Sequence, residues 1–299
     1  MDQTGRMRGV TTCGIVFFVS ACGGSGGTLV STIPPPPAPP SYTRIADMTG
    51  DRTFQPAGVQ YDSSAAGLTS GTAQNFGNGV AIAYTAATDS YRLTAQDGAT
   101  FTFTPAMAKP PSGATQTWVN ETGTQRNQFS LTVPISGSGV PLSYTVLGSW
   151  GRFDTTTTNG TIRLSVGGAP TYAADMPRTG VAIYSAGTGG AIVSAGQSYT
   201  LQGNSSVSFT ANFGASTVST TLTLAGTSGG GPVTSFGTFS GTGTISSTGS
   251  GFSGTLGGTG ATGLFSGGFF GPHALEMAMA WYLNGATISG AGLAAGIKQ

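Results

Sequence analysis

Few side chains in this sequence could do chemistry: one histidine, two cysteines, three tryptophans and ten carboxylates among 299 residues. His273 could ligate a haem iron axially or carry a proton. It could equally be a turn residue, shaped for the Gly271-Pro272-His273 corner. No cysteine or carboxylate cluster lies near it in sequence to supply the three or four ligands of a metal site. The turn reading is therefore favoured, with haem the one exception, and neither metal nor cofactor is expected. Glu276 is the sole carboxylate after Gly180, so paired acid–base catalysis has no second partner there. Its expected role is to accept hydrogen bonds at a strand start. Ser-Gly pairs such as Ser266-Gly267 find no His and Asp with which to form a triad. Gly229-Gly230-Gly231 is not followed by the Lys-Ser/Thr of a phosphate loop. No catalytic residue is expected, and the chain does not read as an enzyme. Trp118, Trp150 and Trp281 could form a stacking platform for a ligand. Trp281 sits in an alternating row and reads as core, whereas Trp150, between Ser149 and Gly151, is the better surface candidate.

The cysteines point to the membrane. Arg6 and Arg8 precede an apolar stretch centred on Ile15-Val16-Phe17-Phe18-Val19, and Ser20-Ala21 are small enough for a signal peptidase to approach the backbone. Cys22 directly after that pair resembles the lipobox of bacterial lipoproteins, whose thiol takes a diacylglycerol before cleavage. The other reading is an ordinary secretory signal cut near Ala21, with Cys22 an incidental thiol. Position, flanks and the tract that follows favour lipidation. Gly23-Gly24-Ser25-Gly26-Gly27 is a flexible tether, and the proline run from Pro34 to Pro40 is a polyproline II spacer reaching roughly 20 Å. Gly23 occupies the position where an Asp retains lipoproteins in the inner membrane of enteric bacteria, so transfer to the outer membrane is expected by analogy. Cys13 lies inside the signal, so acylation of Cys22 leaves no free thiol, disulfide or cysteine metal site.

Composition narrows the partners. Only 7% of residues are charged, against a usual ~25%. Setting aside the leader charges Asp2, Arg6 and Arg8 leaves nine cations and nine anions. Such a balanced chain lacks the basic field that phosphate backbones require, and nucleic acid is not expected as a partner. Thr, Ser, Val, Phe and Tyr punctuated by 51 glycines predict many short strands joined by tight turns.

Charge divides the chain in two. Residues 41–170 hold most of it, with strands expected at Val80–Thr85, Tyr91–Thr94, Thr100–Thr104, Thr117–Asn120, Phe129–Val133, Ser143–Leu147 and Thr161–Val166. Pro110-Pro111-Ser112-Gly113 and Ser136-Gly137-Ser138-Gly139 are turn sequences between them. From Gly180 onward only Glu276 and Lys298 are charged, and alternation is clear. Val207, Phe209, Ala211 and Phe213 share one face. Leu275, Met277, Met279, Trp281 and Leu283 share another, opposite Glu276, Ala278, Ala280, Tyr282 and Asn284. Period two over nine residues predicts a half-buried strand, and the Gly-rich turns predict a meandering antiparallel barrel. A membrane-inserted barrel would also alternate, but Gly237–Thr244 is too poor in large apolar side chains for a lipid-facing belt, and the sequence ends Ile297-Lys298-Gln299 without a terminal aromatic. A soluble barrel is expected.

Two blocks carry a family likeness. Gly251-Phe252-Ser253-Gly254 followed by Leu264-Phe265-Ser266-Gly267-Gly268-Phe269-Phe270-Gly271-Pro272-His273-Ala274-Leu275-Glu276 resembles the barrel signature of transferrin-binding protein B-like surface lipoproteins. Met176-Pro177-Arg178-Thr179-Gly180-Val181-Ala182-Ile183-Tyr184 is similar to that family's lead-in to the barrel. The likeness covers roughly residues 171–299. It implies an all-β architecture of a β-rich handle domain followed by an eight-stranded antiparallel soluble β-barrel. The expected domains are a signal peptide at 1–21, a tether at 22–40, the handle at 41–170 and the barrel at 171–299. It also implies a lipoprotein anchored in the outer membrane through Cys22, facing the cell exterior, that binds an extracellular ligand such as a solute, haem or an iron-carrier protein for uptake or adhesion. Some members serve a partner outer-membrane transporter. The competing reading is a structural envelope lipoprotein with no small ligand. One handle–barrel unit is expected in this sequence, where the pathogen receptors have two.

Overall fold

β-Branched and aromatic residues set between Gly-, Asp- and Pro-containing turns give strands throughout. The computed structural model describes residues 40–64, 67–157, 159–201, 203–258 and 260–299. The expected signal, Cys22 and most of the tether lie outside the described residues. The handle comprises β1 (Arg52–Phe54), β2 (Ala57–Ser64), β3 (Gly67–Gln74), β4 (Ala81–Thr85), β5 (Ser90–Thr94), β6 (Thr100–Phe103), β7 (Thr115–Thr122), β8 (Gln125–Thr132), β9 (Thr145–Asp154) and β10 (Gly160–Gly168). Four of these form a small antiparallel sheet ordered β1-β4-β5-β6. Six form a larger one ordered β3-β2-β10-β9-β8-β7. The expected strands fall on β4 to β10 with shifted ends, whereas β1, β2 and β3 have no counterpart among them. Residues 57–74 are Gly-, Ser- and Ala-rich, and their strand character comes from what they pack against.

The two handle sheets enclose Leu93, Phe103, Trp118, Phe129 and Trp150. Trp118 stacks on Phe129 with ring centroids 5.3 Å apart. Here the surface placement of Trp150 is corrected: it is 1% exposed. The Arg163 guanidinium lies 4.9 Å from its ring centroid and occupies the face a ligand would need.

The barrel comprises β11 (Val181–Ser194), β12 (Gln197–Leu201), β13 (Ser206–Asn212), β14 (Thr217–Thr227), β15 (Thr234–Ile245), β16 (Gly251–Gly258), β17 (Ala261–Phe270), β18 (Glu276–Gly285) and β19 (Ile288–Lys298). Every pairing in the barrel is antiparallel, and β19 pairs with β11 from Ile288↔Ser194 to Lys298↔Tyr184, closing the cylinder. β12 and β13 both lie between β11 and β14, so they are two halves of one interrupted stave. The barrel therefore has the expected eight staves. At the interruption the Ser205 hydroxyl donates to Ala225 O at 2.7 Å and accepts from Ala225 N at 3.0 Å, in place of backbone pairing.

Apolar side chains point inward. Phe209, Phe239, Phe265, Phe269, Met277 and Trp281 are all 0% exposed in one core. Outside, Ser and Thr side chains face each other across strands, as at Thr221–Ser240 and Thr223–Thr238. This arrangement is inverted relative to a lipid-facing barrel, whose apolar belt lies outside.

Strand β18 departs from the half-buried pattern expected of it. Met277, Met279, Trp281 and Leu283 enter the barrel core as the alternation implies, but Ala278, Ala280 and Tyr282 are buried too. They pack with Phe270, Ala291 and Ala295 against Val59, Tyr61, Leu68 and Val166 of the handle. Gly71 on β3 makes this approach possible, since a Cβ there would come within 1.8 Å of the Tyr282 ring. Handle and barrel thus form one compact unit from Pro40 to Gln299.

Candidate functional site

Three places could carry function: the barrel interior, the handle–barrel joint and the outer grooves. The interior is filled by the aromatic and Met side chains above.

At the joint, Glu276 opens β18 and is 1% exposed. It accepts the Ser143 amide at 2.6 Å, the Tyr144 amide at 2.9 Å and the Thr145 hydroxyl at 2.8 Å. Burial raises its pKa, and these three donors counter the rise only in part. The hydrogen-bonding role expected of Glu276 is the one it has. Its partners come from the handle, and the carboxylate ties the start of β9 to the barrel.

His273 sits in the corner between β17 and β18 with φ +51°, the left-handed backbone that favours turn residues. Its ring is 78% exposed, with Nδ1 2.7 Å from Asp175 Oδ1. Asp175 also accepts the His273 amide at 2.9 Å and the Tyr42 hydroxyl at 2.7 Å. Burial opposes ionisation of Asp175, but the His273 amide, the Tyr42 hydroxyl and the His273 ring outweigh it and hold the carboxyl below its usual range. Burial, reinforced by Asp175, pushes the Tyr42 phenol up to about 12. Tyr42 therefore fastens the start of the described chain to the joint. Among the described residues no cluster of three His, Cys, Asp or Glu could hold a metal ion.

Several grooves lie outside, and two of them bear on function. One of about 610 Å³ runs between Phe76 of the handle, the Pro170–Ala173 connection and the turn from Ser246 to Gly251, with no charged side chain in its lining. The other, about 550 Å³, crosses the larger handle sheet and is lined by Asp62, Arg152, Thr161 and Arg163 among others. Neither arginine belongs to a motif that marks it in the sequence. The available signal is period-two spacing: Arg152 lies two residues after Trp150, and Arg163 interrupts the apolar run of β10.

Residues 176–295 match the protein family described as the C-lobe and N-lobe beta barrels of Tf-binding protein B. The barrel thus has the transferrin-binding protein B-like fold that its sequence resembles. Among solved structures the chain is similar to a variant of transferrin-binding protein B from Haemophilus parasuis Hp5, with 16% identity, 84% of this chain and 46% of that one covered, and a TM-score of 0.47. It is similar to transferrin-binding protein B from serogroup B Neisseria meningitidis, with 17% identity, 84% and 44% coverage, and a TM-score of 0.43. A third is the N-lobe domain of lactoferrin binding protein B of Moraxella bovis, with 13% identity, 84% and 100% coverage, and a TM-score of 0.35. The chain spans less than half the length of the first two. Among curated proteins none matches.

Proposed function

We propose that this chain is an outer-membrane lipoprotein, acylated at Cys22 and displayed on the cell surface, that captures an extracellular ligand through its outer face. The ligand favoured is an iron-carrier protein of the transferrin or lactoferrin kind, handed to a partner outer-membrane transporter. Binding, not catalysis, is its activity. The carrying observation is the filled barrel of transferrin-binding protein B type: with its interior packed, recognition falls to surfaces wide enough for a macromolecule. Charge favours the handle for that recognition, because the barrel sequence after Gly180 offers only Glu276 and Lys298. Glu276 is already engaged at the joint.

The test is capture by immobilised chain of iron-loaded transferrin, iron-loaded lactoferrin, and partners from serum or spent growth medium. Saturable enrichment of one carrier is the expected result. Enrichment of nothing from any source would overturn capture and leave the structural envelope reading.

A further inference from the structure

The turn between β15 and β16, the Pro170–Ala173 connection and Phe76 border the uncharged 610 Å³ groove. Its walls are fixed. Across the turn the Ser246 amide donates to Gly251 O at 2.8 Å, and the Phe269 amide donates to Ser250 O at 2.9 Å. Phe76 lies 5.8 Å from Phe270 between ring centroids. It fills the space left by Gly251 and Gly268, where a Cβ would come within 2.5 and 2.7 Å of it. Tyr172 is 50% exposed, with its ring centroid 4.9 Å from that of Tyr42 and its amide donating to the Tyr42 hydroxyl at 3.0 Å. We propose that this groove binds a neutral pyranose saccharide, with Tyr172 as the platform for one sugar ring.

The lining selects that ligand by what it offers and by what it lacks. No side chain in it is charged, so an ionised ligand would leave water and meet no opposite charge. Asn75, Thr244, Ser246, Ser247 and Thr248 line the groove and are exposed. The Ser246 and Thr248 hydroxyls pair with each other at 3.2 Å. The Asn75 amide and the Thr244 and Ser247 hydroxyls make no hydrogen bond with the described residues. Such groups donate and accept alike, as sugar hydroxyls do, so the match needs no charge. A hydrocarbon ligand would cover these polar groups without pairing them. A peptide strand finds no open edge there, because β15 and β16 are paired on both sides.

Tyr172 supplies the remaining element. A pyranose presents a face of C–H bonds beside its hydroxyl rim, and an aromatic ring can cover that face while its own polar tip stays wet. The Tyr172 ring is half exposed, and its hydroxyl makes no hydrogen bond with the described residues. Its position is set before a ligand arrives. The Tyr172 carbonyl accepts the Asp175 and Met176 amides at 2.9 and 3.0 Å. Next to it, the Thr171 amide donates to Phe269 O at 3.0 Å and the Thr171 hydroxyl to Gly271 O at 2.7 Å. A platform already ordered loses little entropy on binding. The volume lies within the range of small-molecule clefts.

The proposal rests on the groove and needs no carrier protein. Titrate the full chain, followed by NMR, with the methyl glycosides of D-glucose, D-galactose, D-mannose and N-acetyl-D-glucosamine. The methyl glycoside of D-glucuronic acid is the charged counterpart. At least one neutral glycoside is expected to bind about tenfold or more tightly than the glucuronide. Tyr172→Ala should weaken it about tenfold, whereas Tyr172→Phe, which keeps the ring, should weaken it no more than about threefold. Asn75→Ala removes an exposed side chain, so it should weaken binding about threefold at the parent melting temperature, which separates lost binding from lost fold. Binding of none of the four neutral glycosides, equal binding of the glucuronide, or either alanine chain binding as the parent would each overturn the assignment. Where the parent also captures lactoferrin, enzymatic removal of the carrier's glycans distinguishes the sources. Loss of capture assigns the saccharide to a glycoprotein, and retained capture assigns it to a free saccharide. Bound glycosides without capture of any carrier would remove the carrier reading and leave the groove assignment standing.

Discussion

Glu276 shows how much one side chain can decide in a chain with so few charges. Its two oxygens collect donors from three consecutive handle residues, so Glu276→Ala would strand two amides and a hydroxyl at the joint. The expected cost is about 2–3 kcal/mol, read as a lower midpoint in urea unfolding. The pH dependence has a definite sign. Burial raises the folded pKa above the ordinary 4.5, so over the interval above 4.5 the native state keeps a proton that the unfolded chain has released. The stability due to this proton is full below about pH 4.5 and declines as pH rises through the folded value. Glu276→Gln should lack that decline, and identical slopes for the two chains would contradict it. The residue's bonding role was legible because a lone carboxylate at an apolar strand start must find donors. The burial of Trp150 was not legible, since Arg163, which covers it, lies thirteen positions away on a neighbouring strand.

At the scale of elements, alternation is sufficient for strands that face one core and insufficient for those that face two. In β13 and β14 apolar and Ser/Thr residues alternate because one side fills the barrel and the other meets water. β18 alternates large with small, not apolar with polar: Met277, Met279 and Trp281 fill the barrel, and Ala278 and Ala280 let the handle approach closely. In the sequence, such small side chains look like an outer face. β2 and β3 are illegible for the complementary reason, as their partners lie more than a hundred residues away on the barrel. The inward face of β18 yields a sharp expectation. Trp281 is fully buried, and Gly292 has no Cβ to block its ring, which would otherwise lie 2.5 Å away. Trp281→Ala should cost about 3–5 kcal/mol in chemical denaturation. A cost under about 0.5 kcal/mol would mean that the ring is not in the core.

For the whole molecule, the question is which way the folded unit faces, and the strand directions decide where a label can report it. Tyr42, near the start of the described chain, is held by Asp175 at the barrel end where β11 and β18 begin. Gln299 lies at that same end, its amide donating to Ile183 O at 3.0 Å. A tag after Gln299 would therefore sit beside the joint and report exposure poorly. The turn at Gly229-Gly230-Gly231, between β14 and β15, lies at the opposite end of the barrel, and a Cβ at Gly229 or Gly230 would meet nothing within 4 Å. An epitope inserted there should leave the strands paired. On intact cells it should be labelled by antibody without permeabilisation, and Cys22→Ala should move the label from the membrane fraction to soluble material, since stable retention rests on the acyl chains. Label only after permeabilisation would place the protein facing the periplasm and end the case for capture of external ligands. Membrane retention unchanged by Cys22→Ala would remove the anchor from the account.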